Sequence, residues 1–467
     1  MTRYNKLKIG LREIKESLTG EERDYTSGNI KKAVFLLSVP MVLEMLMESV
    51  FAVVDIFFVS KLGAEAIATV GITESLVTVI YALAVGLSVA TSAVVSRRVG
   101  EKKEGKASQS AYQAILTGIV VSLIIAIPGF LFSKDILRAM KASDVIVNEM
   151  SGYASIMFGS NMVIMLLFIN NAIFRSAGNP VLSMRVLWFA NLINIVLDPI
   201  LIFGWGPIPA LGVKGAALAT TIGRGSAVIV QFYYLFKGKG RIKLHSVSLR
   251  PRFRLIGQIL KLSTGTVSQH IVATSSWIIL MRFVAQYGSE VLAGYTLALR
   301  IVVFVLLPAL GISNAASTLV GQNLGAGNPD RAEKSTWIAG RVNMWLMGIV
   351  SLVLIAFPQS FISLFTSETA IIGAGSESLR ILSIGFIVYG LGMVLVNAFN
   401  GAGDTQTPFR INLISFWLVE IPLAWLLSSP IGWHQDGVFW AIVFSESLMT
   451  FTVFLFFRKG NWKLNQV

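Results

Sequence analysis

The sequence predicts an all-α membrane protein of twelve transmembrane helices, in two six-helix lobes related by a pseudo-twofold axis along the membrane normal. Three observations carry this: an apolar composition, twelve apolar runs of membrane-crossing length, and an internal repeat at one fixed offset. The 467 residues are 54% hydrophobic and only 14% charged, whereas soluble domains carry about a quarter charged residues. The deficit lies in long apolar stretches, so the predicted solvent is lipid.

The runs fall near residues 33–59, 68–95, 111–132, 150–174, 184–204 and 212–236, then near 256–286, 291–320, 336–357, 377–400, 409–427 and 437–457. Each is long enough to cross a hydrocarbon core of about 30 Å at a rise of about 1.5 Å per residue. An even count puts both termini on one side. Residues 1–33 carry eight Lys or Arg, Arg97 to Lys106 five, and Lys237 to Lys261 eight, while Lys61 and Lys214 stand alone in alternate connections. Positive charge stays inside, which makes both termini cytoplasmic.

The formal charge of +14 therefore sets topology and argues against nucleic acid as a partner. No cysteine and only three histidines exclude disulfides, thiolate metal sites and cysteine nucleophiles. The first thirty residues mix both charge signs and lack the apolar core of a signal peptide. Leu7, Ile9, Leu11, Ile14 and Leu18 among those charges predict a short interfacial helix.

An offset of 225 residues recurs along the chain. Gly63-Ala-Glu65 matches Gly288-Ser-Glu290, and Gly86-Leu-Ser88 matches Gly311-Ile-Ser313. Val99-Gly100 matches Leu324-Gly325, Ala177-Gly178 matches Ala402-Gly403, Arg185 matches Arg410, and Gly212-Val213 with Ala216 matches Gly437-Val438 with Ala441. Six spans per copy make the copies parallel. The predicted division is a cytoplasmic segment 1–30, an N-terminal lobe 31–237, a basic linker 238–254, a C-terminal lobe 255–457 and a tail 458–467. Duplicated lobes of this kind point to a transporter that exposes a cavity to alternate sides.

An ionisable group at the bilayer centre costs roughly 2.5–3.5 kcal/mol, so each needs a partner, a wet cavity or a role. Glu44, Glu48 and Asp55 fall within about 40° of one another around the first helix. They form an acidic stripe, and Pro40 on the same face lets that helix bend. Asn194 and Asp198 lie one turn apart on the fifth span, and Thr220 follows a small-residue run on the sixth. Together these make an oxygen-rich pocket suited to H⁺ or Na⁺. If Asp55 and Asp198 share a desolvated site, the pair can hold a cation and release it when water enters from the other side. The second copy is less acidic: Leu280 takes the place of Asp55, and Glu420 lies three residues short of the place of Asp198. His270, Arg282, Arg300, Glu446 and Arg224 read as interior candidates, although lone basic residues near helix ends more often snorkel or cap.

These residues carry a resemblance to the multidrug and toxic compound extrusion (MATE) family over nearly all of residues 30–457. It rests on Pro40, on Val53-Val-Asp55-Ile-Phe-Phe-Val-Ser-Lys-Leu-Gly63, and on Phe174-Arg-Ser-Ala-Gly178-Asn-Pro. The most specific string is Asn194-Ile-Val-Leu-Asp198-Pro-Ile-Leu-Ile-Phe-Gly204, which leads into Gly212-Val-Lys-Gly-Ala-Ala-Leu-Ala-Thr220. The resemblance implies alternating access and export of cationic or amphipathic organic compounds in exchange for H⁺ or Na⁺, with no cofactor, from a prokaryotic inner membrane.

Within the family the chain is most similar to the prokaryotic DinF-like branch with its cation site in the N-terminal lobe. That implies Asp55, Asn194, Asp198 and Thr220 as cation ligands, Na⁺ included, with one of Asn170 and Asn171 contributing and Pro40 as the bend. Glu48 departs from the pattern, since relatives usually carry an uncharged residue there. The seventh-helix glutamate of other branches is missing from Ser263-Thr-Gly-Thr-Val-Ser-Gln269-His270, which leaves Gln269 as the polar candidate and argues against a C-lobe cation site. The rival transporter reading is a flippase of lipid-linked or polysaccharide intermediates, which would carry basic residues in its cavity where this stripe is acidic. For an intramembrane enzyme only serine-based schemes survive and nothing supports one, and duplicated six-helix lobes with a buried carboxylate pair favour alternating access over a channel's continuous pore.

Overall fold

The computed structural model describes residues 12–237 and 240–466. Among them run twelve long helical segments: α1 Ile30–Ser60, α2 Ala64–Gly100, α3 Glu104–Leu131, α4 Ile146–Ala177, α5 Pro180–Phe203 and α6 Val213–Lys237, then α7 Phe253–Ala285, α8 Ser289–Gly325, α9 Pro329–Ala356, α10 Thr369–Gly401, α11 Gln406–Ser428 and α12 His434–Lys459. Eight of the described helices are long and apolar enough to cross a membrane, nine when the two halves of α10 count as one span. The α1, α6 and α7 segments complete the set. The chain is thus a multi-pass membrane protein. Large apolar side chains such as Ile124, Ile229, Ile349 and Leu352 stand exposed on it, as a lipid solvent permits.

Both α2 and α8 have 37 residues, about 55 Å of helix, so each extends beyond the hydrocarbon as its long apolar run requires. The breaks are also duplicated. α4 is interrupted at Ser160 and α10 at Gly385, where its halves meet at 55°, and these two positions match at the repeat offset. Where α4 ends, Gly178 adopts φ 96°, a left-handed conformation that glycine enters without strain. A Cβ there would lie 2.4 Å from the Arg23 carbonyl oxygen, so the same glycine also admits the N-terminal segment. Asn179 then caps α5, its Oδ1 accepting from the Leu182 N–H at 3.1 Å, with Pro180 in the first turn.

Two compact units emerge, and their division differs from the one drawn on the sequence. The first comprises residues 1–24 and 43–263, the second 25–42 and 264–467. The cut falls inside α1, two residues past Pro40. In the second unit, Leu37 and Met41 of α1 pack with Ile312, Ala315, Ala316 and Leu319 of α8. A Cβ on Gly311 would sit 2.8 Å from the Met41 backbone, so that contact requires glycine. In the first unit, Trp188 and Asn191 of α5 donate to the Leu43 and Met47 carbonyls at 3.1 and 3.4 Å. Helix α1 is unbroken through Pro40.

The basic linker likewise groups with the first unit. Gln109, Tyr112 and Gln113 of α3 donate to the carbonyls of Ser248, Leu249 and Arg250 at 3.0–3.1 Å, and Arg252 N–H returns a bond to Gln113 Oε1 at 3.0 Å. Polar side chains on one face of α3 thus hold an extended segment that hydropathy reads as a free connection. Of the predicted N-terminal helix, residues 12–17 are helical and Ile14 is exposed, while Leu7, Ile9 and Leu11 lie outside the described residues.

Candidate functional site

Asn194 and Asp198 share one face of α5 because they are one helical turn apart, and both are buried, Asp198 fully. The surrounding donors and acceptors orient the Asn194 amide. Its Nδ2 donates to Asp198 Oδ2 at 3.0 Å, while its Oδ1 accepts from the Thr220 hydroxyl at 3.2 Å and the Thr220 N–H at 3.1 Å. Sequence reasoning placed these three residues together, and the fold brings them into contact.

Glycine makes that contact feasible. A Cβ on Gly223 would lie 2.7 Å from the Ala190 carbonyl oxygen and 3.1 Å from Asn194 Cβ. Gly223→Ala therefore forces α5 and α6 apart at the site. The expected result is a loss of about 1–3 kcal/mol, seen as a lower unfolding temperature in detergent. An unchanged temperature would mean that the two helices do not meet as closely as described.

Asp55 of α1 is buried, and its Oδ1 has no hydrogen-bond partner among the described residues. It lies close enough to Asp198, Glu74 and Arg224 for their charges to interact. The acidic stripe predicted around it proves chemically divided. Glu44, 1% exposed, accepts from Arg175 of α4 at 2.9 Å. Glu48 accepts from Arg224 of α6 at 2.9 Å. Arg224 also donates to the Tyr81 hydroxyl, and its guanidinium lies 5.1 Å from the centre of the Phe51 ring and 5.6 Å from that of Tyr81. Of the three acids, only Asp55 is left without an arginine bound to it.

Arg224, one of the interior candidates, sits buried in an ion pair rather than snorkelling or capping a helix end, because a buried charge needs a partner. Arg175 belongs to the string Phe174-Arg-Ser-Ala-Gly178, in which nothing assigns it to the site. Its place, three residues before the helix-ending Gly178, gave no hint of Glu44.

The remaining candidates separate in the same way. Asn171 accepts from Gln231 of α6 at 2.6 Å, and its carbonyl accepts from Ser183 at 3.2 Å. Asn170 is fully buried, and neither amide atom has a partner among the described residues, so Asn170 is the one with ligand capacity to spare. Gln269, in the second unit, donates to Asn400 Oδ1 at 3.2 Å and to the Thr405 carbonyl at 2.9 Å. Both hydrogens of its amide nitrogen are thereby engaged within the second unit. Among the described residues no three His, Cys, Asp or Glu side chains converge as a metal cluster. The Asp198, Asn194 and Thr220 oxygens are of the hard type that suits Na⁺ or a proton.

The MatE family model matches residues 40–200 and again 267–426, once in each copy of the repeat. The chain is 28% identical over 446 residues to the probable multidrug resistance protein YpnP of Bacillus subtilis, covering 94% of this chain and 97% of that protein. It is 25% identical over 426 residues to the multidrug export protein MepA of Staphylococcus aureus, covering 91% and 92% respectively. Among solved structures it resembles a MATE crystallised in complex with MaL6, with a TM-score of 0.87, 26% identity and coverage of 93% and 97%. A MATE in the straight conformation matches with a TM-score of 0.87, 25% identity and coverage of 93% and 96%.

Proposed function

The chain belongs to the MatE family, and from that premise we propose that it is a secondary active multidrug exporter of the prokaryotic inner membrane. It moves cationic or amphipathic organic compounds outward in exchange for H⁺ or Na⁺. The observation that carries this reading is the contrast within the first unit. Glu44 and Glu48 each have an arginine, whereas Asp198 is held by a neutral amide and Asp55 Oδ1 by no partner among the described residues. Buried charge without a counter-charge is expensive, so this pair takes up a small cation when water is excluded and releases it when water returns.

Asn194 reports which state Asp198 is in. With Asp198 ionised, the amide turns its Nδ2 to the carboxylate and its Oδ1 to Thr220. With Asp198 protonated, the acid becomes a donor and needs an acceptor. The amide supplies one only by turning its Oδ1 toward the acid, which sets its Nδ2 against the Thr220 N–H and breaks the bond that this N–H makes to Oδ1. Loading the site thus rearranges the polar link between α5 and α6, the local change that alternating access needs. The positive-inside rule supports a cytoplasmic side for the basic loops around Arg97–Lys106 and Lys237–Lys261.

The test is counterflow in proteoliposomes, with pH and Na⁺ gradients imposed separately and a fluorescent organic cation as cargo. One of the two gradients drives efflux by wild type, and Asp198→Asn shifts or removes that dependence. If neither gradient drives efflux, the antiport reading fails. An Asp198→Asn profile identical to wild type removes Asp198 from the ion site.

A further inference from the structure

The two copies of the repeat use one helix face differently. In the first unit that face of α3 holds a peptide: Gln109, Tyr112 and Gln113 donate to the carbonyls of Ser248, Leu249 and Arg250, and Gln113 Oε1 accepts from the Arg252 N–H. At the 225-residue offset these three positions become Lys334, Trp337 and Ile338 of α9, and Leu116 becomes Arg341. Amides that both donate and accept have given way to two cations that only donate. A peptide backbone asks for both functions, an anion for donors alone.

In the second unit the face is uncovered. Lys334 and Arg341 are exposed, and together with Ile30 of α1, Trp337 and Ile338 they line an open groove of about 460 Å³. The spacing i, i+3, i+4, i+7 puts the four α9 residues on one side of the helix. Trp337 is fixed in place. Its Nε1 donates to Glu333 Oε1 at 3.1 Å, and its ring meets those of Phe454 and Phe457 edge-on, with centroids 5.6 and 5.3 Å away.

The charges next to this groove are taken. Arg331 donates to the carbonyls of Tyr25, Ser27 and Gly28 at 2.6–3.3 Å. Lys463 holds Glu333 at 2.6 Å and Asp330 at 3.4 Å. Lys334 and Arg341 differ, since among the described residues neither has an ion pair or a side-chain hydrogen bond.

Depth matters for Arg341, which lies about 18 Å along α9 from Pro329. Trp345 and Leu352 continue its face and are exposed, as side chains in contact with lipid are. Helical side chains lean toward the N-terminus, so the Arg341 guanidinium reaches back toward Lys334 and the headgroup layer. The positive-inside rule assigns that end of α9 to the cytoplasmic side. A cation at the edge of the hydrocarbon is costly unless an anion meets it, and the anion at that level of a bilayer is a lipid phosphate.

We infer that this groove of α9 is a binding site for an anionic phospholipid of the cytoplasmic leaflet. Lys334 and Arg341, about 10 Å apart along the helix, hold the phosphodiester headgroup, while Ile30, Trp337 and Ile338 take the upper part of its chains. The charge complementarity favours a lipid over a second peptide, because the acceptor that Gln113 offers the linker is here the hydrocarbon side chain of Ile338.

The test is native mass spectrometry of the full-length protein released from detergent and titrated with dioleoyl phosphatidylglycerol or dioleoyl phosphatidylcholine. Wild type binds one phosphatidylglycerol about tenfold or more tighter than phosphatidylcholine. Lys334→Gln and Arg341→Gln each weaken the anionic lipid by about fivefold and leave the neutral one unchanged. Arg254→Gln, at an exposed basic residue of α7, alters neither. Equal affinity of wild type for the two lipids overturns the site, and a cross-link from Lys334 to another protein segment would then name its occupant. A preference kept in the double variant also overturns it. So does a loss in Arg254→Gln as large as in Lys334→Gln, which assigns the preference to the general positive surface. Displacement of the lipid by millimolar inorganic phosphate makes the place a phosphate site and sinks the lipid. Binding is read here without gradient or cargo, so its failure leaves the exporter reading untouched and failure of efflux leaves this site standing.

Discussion

Asp55→Asn reduces the drug resistance that the protein confers on a hypersusceptible host to the level of cells carrying an empty vector, with unchanged amounts of protein in the membrane. Both halves of that outcome follow from the surroundings of the side chain. Asp55 is 8% exposed, and its Oδ1 has no hydrogen-bond partner among the described residues. An amide of the same shape removes a buried charge and breaks no ion pair, so folding is spared and can even gain. Transport is not spared, because an amide neither takes up a proton nor balances Na⁺. Resistance equal to wild type would remove Asp55 from coupling. Loss of the protein from the membrane would mean that the carboxylate has a structural partner after all.

Arg175→Met lowers stability by about 3–5 kcal/mol, the penalty for stranding one member of a buried ion pair. Glu44 is 1% exposed and bonded to Arg175 at 2.9 Å, and its second oxygen already lacks a partner among the described residues. Removing the guanidinium leaves a carboxylate with nothing to face. The double variant Glu44→Gln with Arg175→Met recovers most of the loss, since a neutral pair of similar volume needs no counter-charge. Unfolding temperatures of the three proteins in detergent provide the measurement. Equal temperatures for wild type and Arg175→Met would show that the pair holds nothing together. A double variant as unstable as the single one would assign the loss to packing instead of charge.

The two predictions separate acids that look alike in the sequence. Glu44, Glu48 and Asp55 share one helical face, and nothing in their spacing distinguishes them. Their arginines are 131 and 176 residues away along the chain, on helices whose rotation about their own axes no local pattern specifies. The Asn194, Asp198 and Thr220 cluster was legible because two members are one turn apart and the third follows a run of small residues that lets helices approach. The choice between Asn170 and Asn171 was not legible. Adjacent residues on a helix point about 100° apart, and only the position of Gln231 shows which one is already bonded.

The sequence by itself determined the solvent, the twelve helices, the duplication and the asymmetry of the acids. These depend on hydropathy, charge placement and register, which are local or periodic and survive without coordinates. Tertiary structure decided where the units divide, inside α1 just past Pro40, and that the basic linker lies along α3. It decided which carboxylates of the first unit are bound to an arginine and which are not, and it gathered Tyr295, Tyr389, Glu420 and Glu446 from four helices at or near one cavity. The physical reason is the same in each case. In a low-dielectric interior a charge or a hydroxyl is defined by the atoms within about 3–4 Å of it, and in a bundle those atoms come from parts of the chain that share no local pattern.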